Sequence, residues 1–462
     1  MRTQRLTLRG WPGGALVGCA LGAALLALAP ATLGYDPWGW LAWGREAARL
    51  DLATGTSLSW KPLPVLLTTP ISLLGDLAPH AWLLGVRFAG LLAVVLAFRL
   101  ASRLGGRAAG ALAVGALLLV PGWMRYLALG NLEPVLAALA LGAAAAYLEG
   151  RPRAAFGLMG ALALARPEAW PLLAVLGAQL WRSQPTARPL VVGAAAAVPA
   201  LWFGPDWLAA GDPLAGGGVA LAAPEALALQ ASHHPLLEAI RRALDLLLAP
   251  LWVAAVLAVR SPSPTVRILV LSCFAWIAAV VVLAGAGYAG LSRFSLPAAS
   301  VLGVLGAGVG VDLARRAPRP VRMAAPAALA ALLALAAAPR LGRLDEGWRE
   351  ARDRAVALDT LVDSVQRAGG ERVVAACRRV TVDGPFHTAL AWRYDLELNR
   401  LGDRASTSRP RLDASRSQTT WVVKEAGCPP RERRASARLA PRREGQSSLE
   451  GNDQEANGGE EP

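Results

Sequence analysis

Residues 35–46 read Tyr-Asp-Pro-Trp-Gly-Trp-Leu-Ala-Trp-Gly-Arg-Glu and directly follow the first apolar run, Gly13 to Gly34. That run is long enough to cross a bilayer, so the residues after it begin at a membrane face, where Trp rings are common. Asp36 followed by Pro37 is typical of a helix N-cap with proline at the first helical position. The pattern predicts a short interfacial helix whose Asp serves either as a cap alone or also as a proton acceptor. The tryptophans of this helix are Trp38, Trp40 and Trp43.

The composition identifies the class of protein. Of 462 residues, 54% are hydrophobic and only 17% are charged, which is too apolar for a soluble chain of this length. The net charge of +14 comes from arginines in short clusters between apolar runs, as expected of cytoplasmic loops rather than of a nucleic-acid-binding surface. The sequence therefore predicts a polytopic α-helical protein of the bacterial plasma membrane that binds no nucleic acid.

Basic residues set the predicted orientation. Arg2, Arg5 and Arg9 place the N-terminus in the cytoplasm, and the alternative is a signal peptide cleaved near Ala29-Pro30-Ala31. Pro62 to Gly75 is too short and too rich in proline to span, and predicts a second interfacial or re-entrant segment. The crossings predicted after the first are Ala81–Arg99, Ala108–Val120, Leu132–Leu148, two short helices within Ala154–Trp181, Leu190–Phe203, Ala243–Val259, Ile268–Gly287, Leu296–Leu313 and Met323–Ala338. The total is eleven, which leaves the C-terminus outside.

The pair of short helices follows from charge. Residues 154–181 are longer than one crossing and hold Arg166-Pro167-Glu168 near their middle. Because arginines flank this stretch on both sides, the chain returns to the side it left. We therefore expect Arg166 and Glu168 at an outer turn.

The composition changes after residue 340. A membrane domain (1–340) is followed by a charged segment (341–430) and a tail (431–462) that is first arginine-rich and then acidic and polar. The charged segment has a helical pattern at Asp345–Ala368 and strand-like runs at Arg372–Cys377 and Thr419–Val423. We expect a small extracytoplasmic α/β domain and a disordered tail.

The four cysteines divide between two environments. Cys19 and Cys273 lie within predicted crossings, whereas Cys377 and Cys428 lie in the outer segment. An oxidising location permits a Cys377–Cys428 disulfide, and two free thiols are the alternative.

The sequence contains no motif typical of a soluble enzyme. It has no Gly-rich phosphate loop, no Cys-x-x-Cys, no His-Glu-x-x-His and no Gly-x-Ser-x-Gly. His233 and His234 are a candidate metal pair with Asp206 or Asp212, but adjacent histidines in a polar loop are more often solvated. The residues therefore assign no metal ligand and no cofactor, and they leave a divalent cation open.

Seven ionisable residues are predicted on the outer face. Taken singly, each has a structural explanation, such as a local ion pair, a helix cap or an anchor at the lipid headgroups. Taken together, carboxylates and cations that converge on one outer cavity favour chemistry on an anionic lipid. The set consists of Asp36, Lys61, Arg125, Glu133, Arg166, Glu168 and Arg293.

Five short motifs carry a resemblance. They are Tyr-Asp-Pro at 35–37, Ser-Trp-Lys-Pro-Leu-Pro at 59–64, Asn-Leu-Glu-Pro at 131–134, Ala-Arg-Pro-Glu at 165–168 and Ser-Arg-Phe-Ser-Leu-Pro at 292–297. In this order, and on one side of the membrane, they resemble the GT-C superfamily of membrane glycosyltransferases, which includes protein O-mannosyltransferases and aminoarabinose transferases. The second motif stands in the place of the family's His-Pro-Pro-Leu-like segment.

The resemblance implies a GT-C bundle over about residues 13–340 and sugar transfer, with inversion, from a polyprenyl-phosphate donor. The acceptor is a hydroxyl of a glycan, lipid or protein at the outer face. Asp36 is the expected general base and Glu133 the second carboxylate. The residues expected to bind the donor phosphate are Lys61, Arg166 and Arg293. The other expected cavity residues are Trp38, Trp60, Arg125, Tyr126 and Glu168.

Two departures from the family pattern bear on these roles. Asp36 is followed by Pro rather than by a second acidic residue, and Lys61 stands where the family often has His or Pro. The subfamily and any metal dependence stay open. Two other functions remain as alternatives. One is a non-catalytic scaffold in envelope assembly, and the other is a lipid or sugar transporter, which favours repeated halves and charges in mid-span.

Overall fold

The structure is a computed structural model. It describes residues 13–29, 31–55, 58–316, 318, 334–367, 369–372, 380–382, 386–403, 418–423 and 435–438. The N-terminal arginines, most of the predicted crossing at 323–338, Cys377, Cys428 and most of the tail lie outside the described residues, and so do the predictions that depend on them.

Helices make up most of the described chain. Their bounds are α1 Gly13–Ala27, α2 Tyr35–Ala48, α3 Pro62–Ser72, α4 Ala78–Leu118, α5 Trp123–Ala128, α6 Glu133–Leu148, α7 Pro152–Ala163, α8 Trp170–Ser183, α9 Arg188–Ala210, α10 Ala215–Leu221, α11 Pro224–Gln230, α12 Pro235–Leu244, α13 Ala249–Leu257, α14 Pro264–Gly285, α15 Ser292–Arg316, α16 Glu346–Arg367 and α17 His387–Arg393. Residues 334–341 are also helical. The short 3-10 helices are Gly75–Leu77, Pro167–Ala169, Pro185–Ala187, Ala258–Arg260 and Leu398–Arg400.

Helix α4 contains a chain reversal. Gly106 has φ +76° and ψ −178°, a conformation that glycine adopts without steric cost. A Cβ placed on Gly110 would lie 2.8 Å from the Phe98 ring, although twelve residues of straight helix span about 18 Å. The two arms therefore lie side by side, in agreement with the predicted crossings at 81–99 and 108–120.

The second predicted reversal is also present. α7 and α8 are separated by the 3-10 helix Pro167–Ala169, which places Arg166 and Glu168 at the turn as expected. The total number of crossings is not confirmed. Four described helical stretches are long and apolar enough to span a membrane, and the number is five if α12 and the stretch Ala249–Arg260, bent by 92°, are counted as one broken span. Two other apolar helices, α1 and α6, are shorter in the described chain than a bilayer requires.

Helix α15 lies at the centre of the bundle. Every residue from Phe294 to Gly308 is buried. A Cβ on Gly306 would lie 2.9 Å from the Leu251 carbonyl oxygen, and one on Gly308 would lie 2.6 Å from Leu104. Small residues thus allow α13 and α4 to approach α15 closely, as in other membrane bundles.

The C-terminal part combines two helices with short strands. α16 confirms the predicted helix at 345–368, and β3 (Gln418–Val423) covers the predicted strand at 419–423. With β1 (Val380–Val382), β2 (Leu401–Asp403) and β4 (Ala435–Arg438) it forms a sheet in the order β2-β1-β3-β4, parallel between β1 and β2 and antiparallel elsewhere. β4 lies within the segment predicted as a disordered tail. α16 and α17 share a hydrophobic core with the membrane helices, and a separate α/β domain stays a prediction.

Candidate active site

A buried ion pair joins the start of α6 to the turn between α7 and α8. Arg166 donates from Nη2 to Glu133 Oε1 at 3.1 Å, and both side chains are about 4% exposed. The Arg166 guanidinium also lies 4.5 Å from the centroid of the Phe294 ring. Its Nε–H has no hydrogen-bond partner among the described residues. The pair thus leaves the buried Nε–H of Arg166 as a donor for a bound anion.

Asp36 forms the second carboxylate–arginine contact, with Arg293 at the start of α15. Asp36 Oδ2 lies 3.6 Å from Arg293 Nη1, and both side chains are partly exposed. The Nε of Arg293 is buried without a partner in the described chain. The contact is longer than a direct hydrogen bond, so the carboxylate keeps free lone pairs for another donor.

The predicted N-cap role of Asp36 is wrong. Helix α2 begins at Tyr35, its N-cap is Gly34, and Asp36 lies in the first turn. The entry to the helix is fixed instead by backbone contacts. Gly34 N–H donates to the Leu129 carbonyl at 2.8 Å, and the Thr388 hydroxyl donates to the Tyr35 carbonyl at 3.0 Å. Asp36 still benefits from the positive end of the helix dipole.

Lys61 immediately precedes α3. The backbone N–H of Leu63 donates to the Leu164 carbonyl at 2.9 Å, which holds this end of α3 against the end of α7, beside Arg166. The Lys61 ammonium lies 5.7 Å from the centroid of the Trp40 ring and forms no ion pair with any described carboxylate.

Burial lowers the pKa of Lys61 to about 8, and four neighbouring charges act on it as well. Asp36 and Glu133 raise this pKa, whereas Arg166 and Arg293 lower it. Four of the other six predicted ionisable residues therefore lie near the ammonium. Five separate segments of the chain contribute to this cluster.

Glu168 lies in the 3-10 helix between α7 and α8. Its side chain is buried, and neither carboxylate oxygen has a hydrogen-bond partner from another described residue. Burial raises the pKa of Glu168, and the nearby charges of Arg166 and Lys61 oppose that shift.

Aromatic rings line the cluster. Tyr126 is buried, and burial together with the Glu133 charge raises its pKa to about 12. The rings of Tyr288 and Phe294 lie 5.2 Å apart. Sequence reasoning missed Phe294, Tyr288 and the role of Trp40, although Phe294 directly follows Arg293 in the motif at 292–297 and could have been found there.

Other predicted cavity residues have different surroundings. Arg125 donates from Nε and Nη2 to both carboxylate oxygens of Glu350, at 2.5 and 3.0 Å. Trp60 is buried, donates to the Leu201 carbonyl at 3.0 Å and packs edge-on against Trp43. Trp38 is partly buried, and its indole N–H has no partner among the described residues. Arg125 and Trp60 thus support neighbouring elements.

Two of the tryptophans predicted on the interfacial helix, Trp40 and Trp43, pack against protein rather than lie on its surface. Both side chains are buried within the protein, at 2% and 0% exposure. The Thr68 hydroxyl of α3 donates to the Trp40 carbonyl at 2.7 Å, and a Cβ on Gly44 would lie within 3 Å of the Thr68 backbone. Close packing of α3 against α2 therefore covers these rings.

The acidic and histidine residues between positions 206 and 234 form no metal-binding group in the described part of the chain. Asp206 and Asp212 accept hydrogen bonds from the backbone N–H groups of Gly216 and Leu214, respectively. His233 and His234 are exposed. Among the described residues, no three His, Cys, Asp or Glu side chains are close enough to hold a metal ion.

Solved structures are similar to this chain, whereas no family model and no curated protein sequence matches it. The crystal structure of ArnT from Cupriavidus metallidurans bound to undecaprenyl phosphate matches with a TM-score of 0.51 and 16% identity over 85% of this chain and 86% of that chain. The apo state of that protein matches with a TM-score of 0.42 and 18% identity over 77% and 65%. An Archaeoglobus fulgidus oligosaccharyltransferase tethered with an acceptor peptide matches with a TM-score of 0.48 and 13% identity over 85% and 64%.

ArnT is an aminoarabinose transferase with the GT-C fold. The likeness to the undecaprenyl-phosphate-bound structure extends over most of both chains. The resemblance predicted from the five motifs is thereby confirmed. The chain is a multi-pass membrane protein with the GT-C glycosyltransferase fold.

Proposed function

We propose that this protein transfers a sugar from a polyprenyl-phosphate-linked donor to an acceptor hydroxyl at the outer face of the plasma membrane. The observation that carries the proposal is the cluster of Lys61, Arg166 and Arg293 with two carboxylates, Asp36 and Glu133, in a GT-C fold. The similarity to a protein crystallised with undecaprenyl phosphate supports a lipid-linked donor.

The donor phosphate is the proposed ligand of the cations. No soluble pool of nucleotide sugar exists outside the plasma membrane, so an enzyme working there needs its activated sugar on a lipid. The phosphate gains charge as the glycosidic bond breaks, and fixed cations stabilise that charge more in the transition state than in the ground state. Lys61 has no carboxylate partner among the described residues, and Arg166 and Arg293 each have an unpaired Nε–H. These donors suit an incoming anion.

Asp36 is the proposed general base. It accepts the proton of the acceptor hydroxyl while that oxygen attacks the anomeric carbon of the sugar. The bond between the anomeric carbon and the phosphate oxygen breaks, its electron pair leaves with the polyprenyl phosphate, and the configuration inverts. Glu133, held by Arg166, orients the acceptor, which is a hydroxyl of a glycan, lipid or protein.

Turnover of a polyprenyl-phosphate sugar tests both roles. General-base assistance contributes about 10²–10⁴-fold, so we expect Asp36→Asn to lower turnover by that factor in a protein that still folds and inserts. Lys61→Ala should lower turnover while membrane insertion is unchanged. Asp51→Asn and Arg49→Ala, which remove exposed charges beyond the C-terminal end of α2 and away from the cluster, are the matched controls. Near-wild-type turnover in Asp36→Asn contradicts the assignment of the base. Turnover with a soluble nucleotide sugar but none with the lipid-linked sugar contradicts the donor.

The proposal needs the cluster on the outer face, with eleven crossings, a cytoplasmic N-terminus and an extracytoplasmic C-terminus. A reporter fused at Gly105, beside the reversal at Gly106, should lie inside, and one fused after Ala338 should lie outside. If both report from the inside, the number of crossings between them is wrong. The common face of Arg166 and Asp36 would then need revision.

A further inference from the structure

One buried carboxyl group in the cluster lacks the compensation that the others have. Glu133 pairs with Arg166, and Asp36 lies 3.6 Å from Arg293. Glu168 is only 2% exposed, yet no other described residue hydrogen-bonds to either of its oxygens. A buried polar group left unsatisfied costs about 1–3 kcal/mol, and more when it is charged. The carboxyl group at this position is therefore explained better by a ligand than by the stability of the fold.

The surroundings of Glu168 limit the chemical class of the ligand. Its carboxyl group interacts electrostatically with Arg166 and Lys61, the residues proposed to bind the donor phosphate, and its charge also acts on Tyr288. A carboxylate repels a phosphate, and a carboxylic acid gives it only one hydrogen bond. A sugar attached to that phosphate is adjacent to it through a single oxygen atom and carries several hydroxyl groups. Aromatic rings, such as those of Tyr288 and Phe294, commonly line ligand pockets beside a few polar groups.

We propose, building on the proposed glycosyltransferase function, that Glu168 is a specificity-determining residue that hydrogen-bonds a hydroxyl group of the transferred sugar. Its role differs from those of Asp36, which takes a proton from the acceptor, and Lys61, which binds the phosphate. A sugar hydroxyl donates to the carboxylate, or accepts from the carboxylic acid while a second hydroxyl donates to it. Either protonation state of Glu168 is satisfied by a polyhydroxylated ring.

Binding measurements on the full chain in lipid nanodiscs distinguish recognition of the sugar from recognition of the phosphate. The probes are undecaprenyl phosphate without a sugar and undecaprenyl phosphate carrying either mannose or arabinose. We expect wild-type protein to bind at least one sugar-bearing lipid more tightly than undecaprenyl phosphate. In Glu168→Leu, leucine has a similar volume and no hydrogen-bonding group. The affinity of this variant for the preferred sugar-bearing lipid should decrease by about 5- to 100-fold, which removes the preference. Its affinity for undecaprenyl phosphate should stay within about twofold. Glu168→Gln keeps hydrogen-bonding atoms, so its preference for the sugar-bearing lipid should lie between that of wild type and that of Glu168→Leu.

A comparison variant makes the two proposals distinguishable. Lys61→Ala should weaken the binding of all three lipids, because each carries the phosphate. If wild type binds none of the lipids, or if Lys61→Ala changes none of the affinities, the proposed function fails. If Lys61→Ala behaves as expected but Glu168→Leu weakens all lipids equally, or weakens none, the role of Glu168 is overturned. A wild type that binds every sugar-bearing lipid no better than undecaprenyl phosphate also overturns it.

Thermal unfolding separates recognition from a structural role. Because Glu168 has no hydrogen-bond partner from another described residue, Glu168→Leu removes an unsatisfied buried group and should unfold at the wild-type temperature or above it. A large decrease in the unfolding temperature in both Glu168→Leu and Glu168→Gln would indicate a structural carboxylate and would overturn the proposal.

Discussion

The two ends of α2 carry charged residues in different surroundings. At the C-terminal end, Arg45 donates to the carbonyls of Ala391, Trp392 and Leu396 and pairs with Asp395 at 2.9 Å. In the cluster beside the N-terminal end, Lys61 has no carboxylate partner in the described chain, and Glu168 has no hydrogen-bond partner from another residue.

The carboxylates show the same difference. Glu46, near the C-terminal end of α2, accepts backbone N–H groups on both oxygens, from Leu398 at 3.0 Å and Ala53 at 3.2 Å. Glu168 is buried to a similar degree and accepts none from its neighbours. Burial alone therefore does not distinguish a structural charge from a functional one. The two carboxylates differ instead in their hydrogen bonds, and an unsatisfied buried group weakens the fold unless a ligand completes it.

The largest expected effect at the structural end is on stability. Arg45→Ala leaves three carbonyl oxygens near the end of α17 without their donor, whereas Asp395 keeps its contact with Arg49. A buried carbonyl oxygen left without its hydrogen-bond donor costs about 1–3 kcal/mol, whereas the pair with the 56% exposed Asp395 contributes at most about 1 kcal/mol. We expect a clear decrease in the thermal unfolding temperature of the purified protein in detergent.

Arg49→Ala is the matched control for that measurement. Arg49 lies on the same helix and contacts the same Asp395 through two hydrogen bonds, but both side chains are more than half exposed. Exposed pairs contribute about 0.2–1 kcal/mol, so its unfolding temperature should change little. An equal decrease in the two variants would contradict the view that the buried carbonyl contacts of Arg45 hold the junction together.

The cluster could be predicted from the sequence because the prediction requires only the side of the membrane on which each residue lies. Apolar runs and arginine clusters place Asp36, Lys61, Glu133, Arg166 and Arg293 on one face, and the structure brings them together. Exact crossings depend on helix length and bending, such as the 92° bend between α12 and α13, and short motifs do not encode them.

The features that were not predicted from the sequence depend on contacts between distant parts of the chain. The partner of Arg125 is Glu350, 225 residues away, and the carbonyls that satisfy Arg45 come more than 340 residues later. The sequence alone predicts that Trp43 is an interfacial residue, and its burial follows only from the packing of α3 against α2. The incorrect prediction of an N-cap at Asp36 has the same cause. The start of α2 is fixed by contacts with Leu129 and Thr388 rather than by the Asp36 side chain.

The smallest expected effect is a pH dependence at the structural end. Burial raises the pKa of Glu46 from 4.5 to about 7, although the N–H groups of Leu398 and Ala53 and the Arg45 charge oppose the shift. The folded protein thus holds a proton between pH 4.5 and 7 that the unfolded chain has released. The resulting stabilisation is fully present below pH 4.5 and is lost as the pH rises through about 7. It amounts to about 1–3 kcal/mol, or a few degrees in unfolding temperature.

Comparison with Glu46→Gln isolates this contribution, since glutamine does not titrate. The unfolding temperature of wild type should fall by a few degrees from pH 5 to pH 8 relative to that of the variant. Burial shifts the pKa of Glu168 in the same direction, but Glu168 is present in both proteins and cancels in the difference. The hydrogen bond from Arg49 lowers the pKa of Asp395, so the stabilisation from Asp395 is lost only as the solution becomes more acidic than this range. Parallel pH profiles for wild type and Glu46→Gln would show that the two N–H groups keep Glu46 ionised throughout. Its hydrogen bonds would then outweigh its burial, which would strengthen the contrast with Glu168.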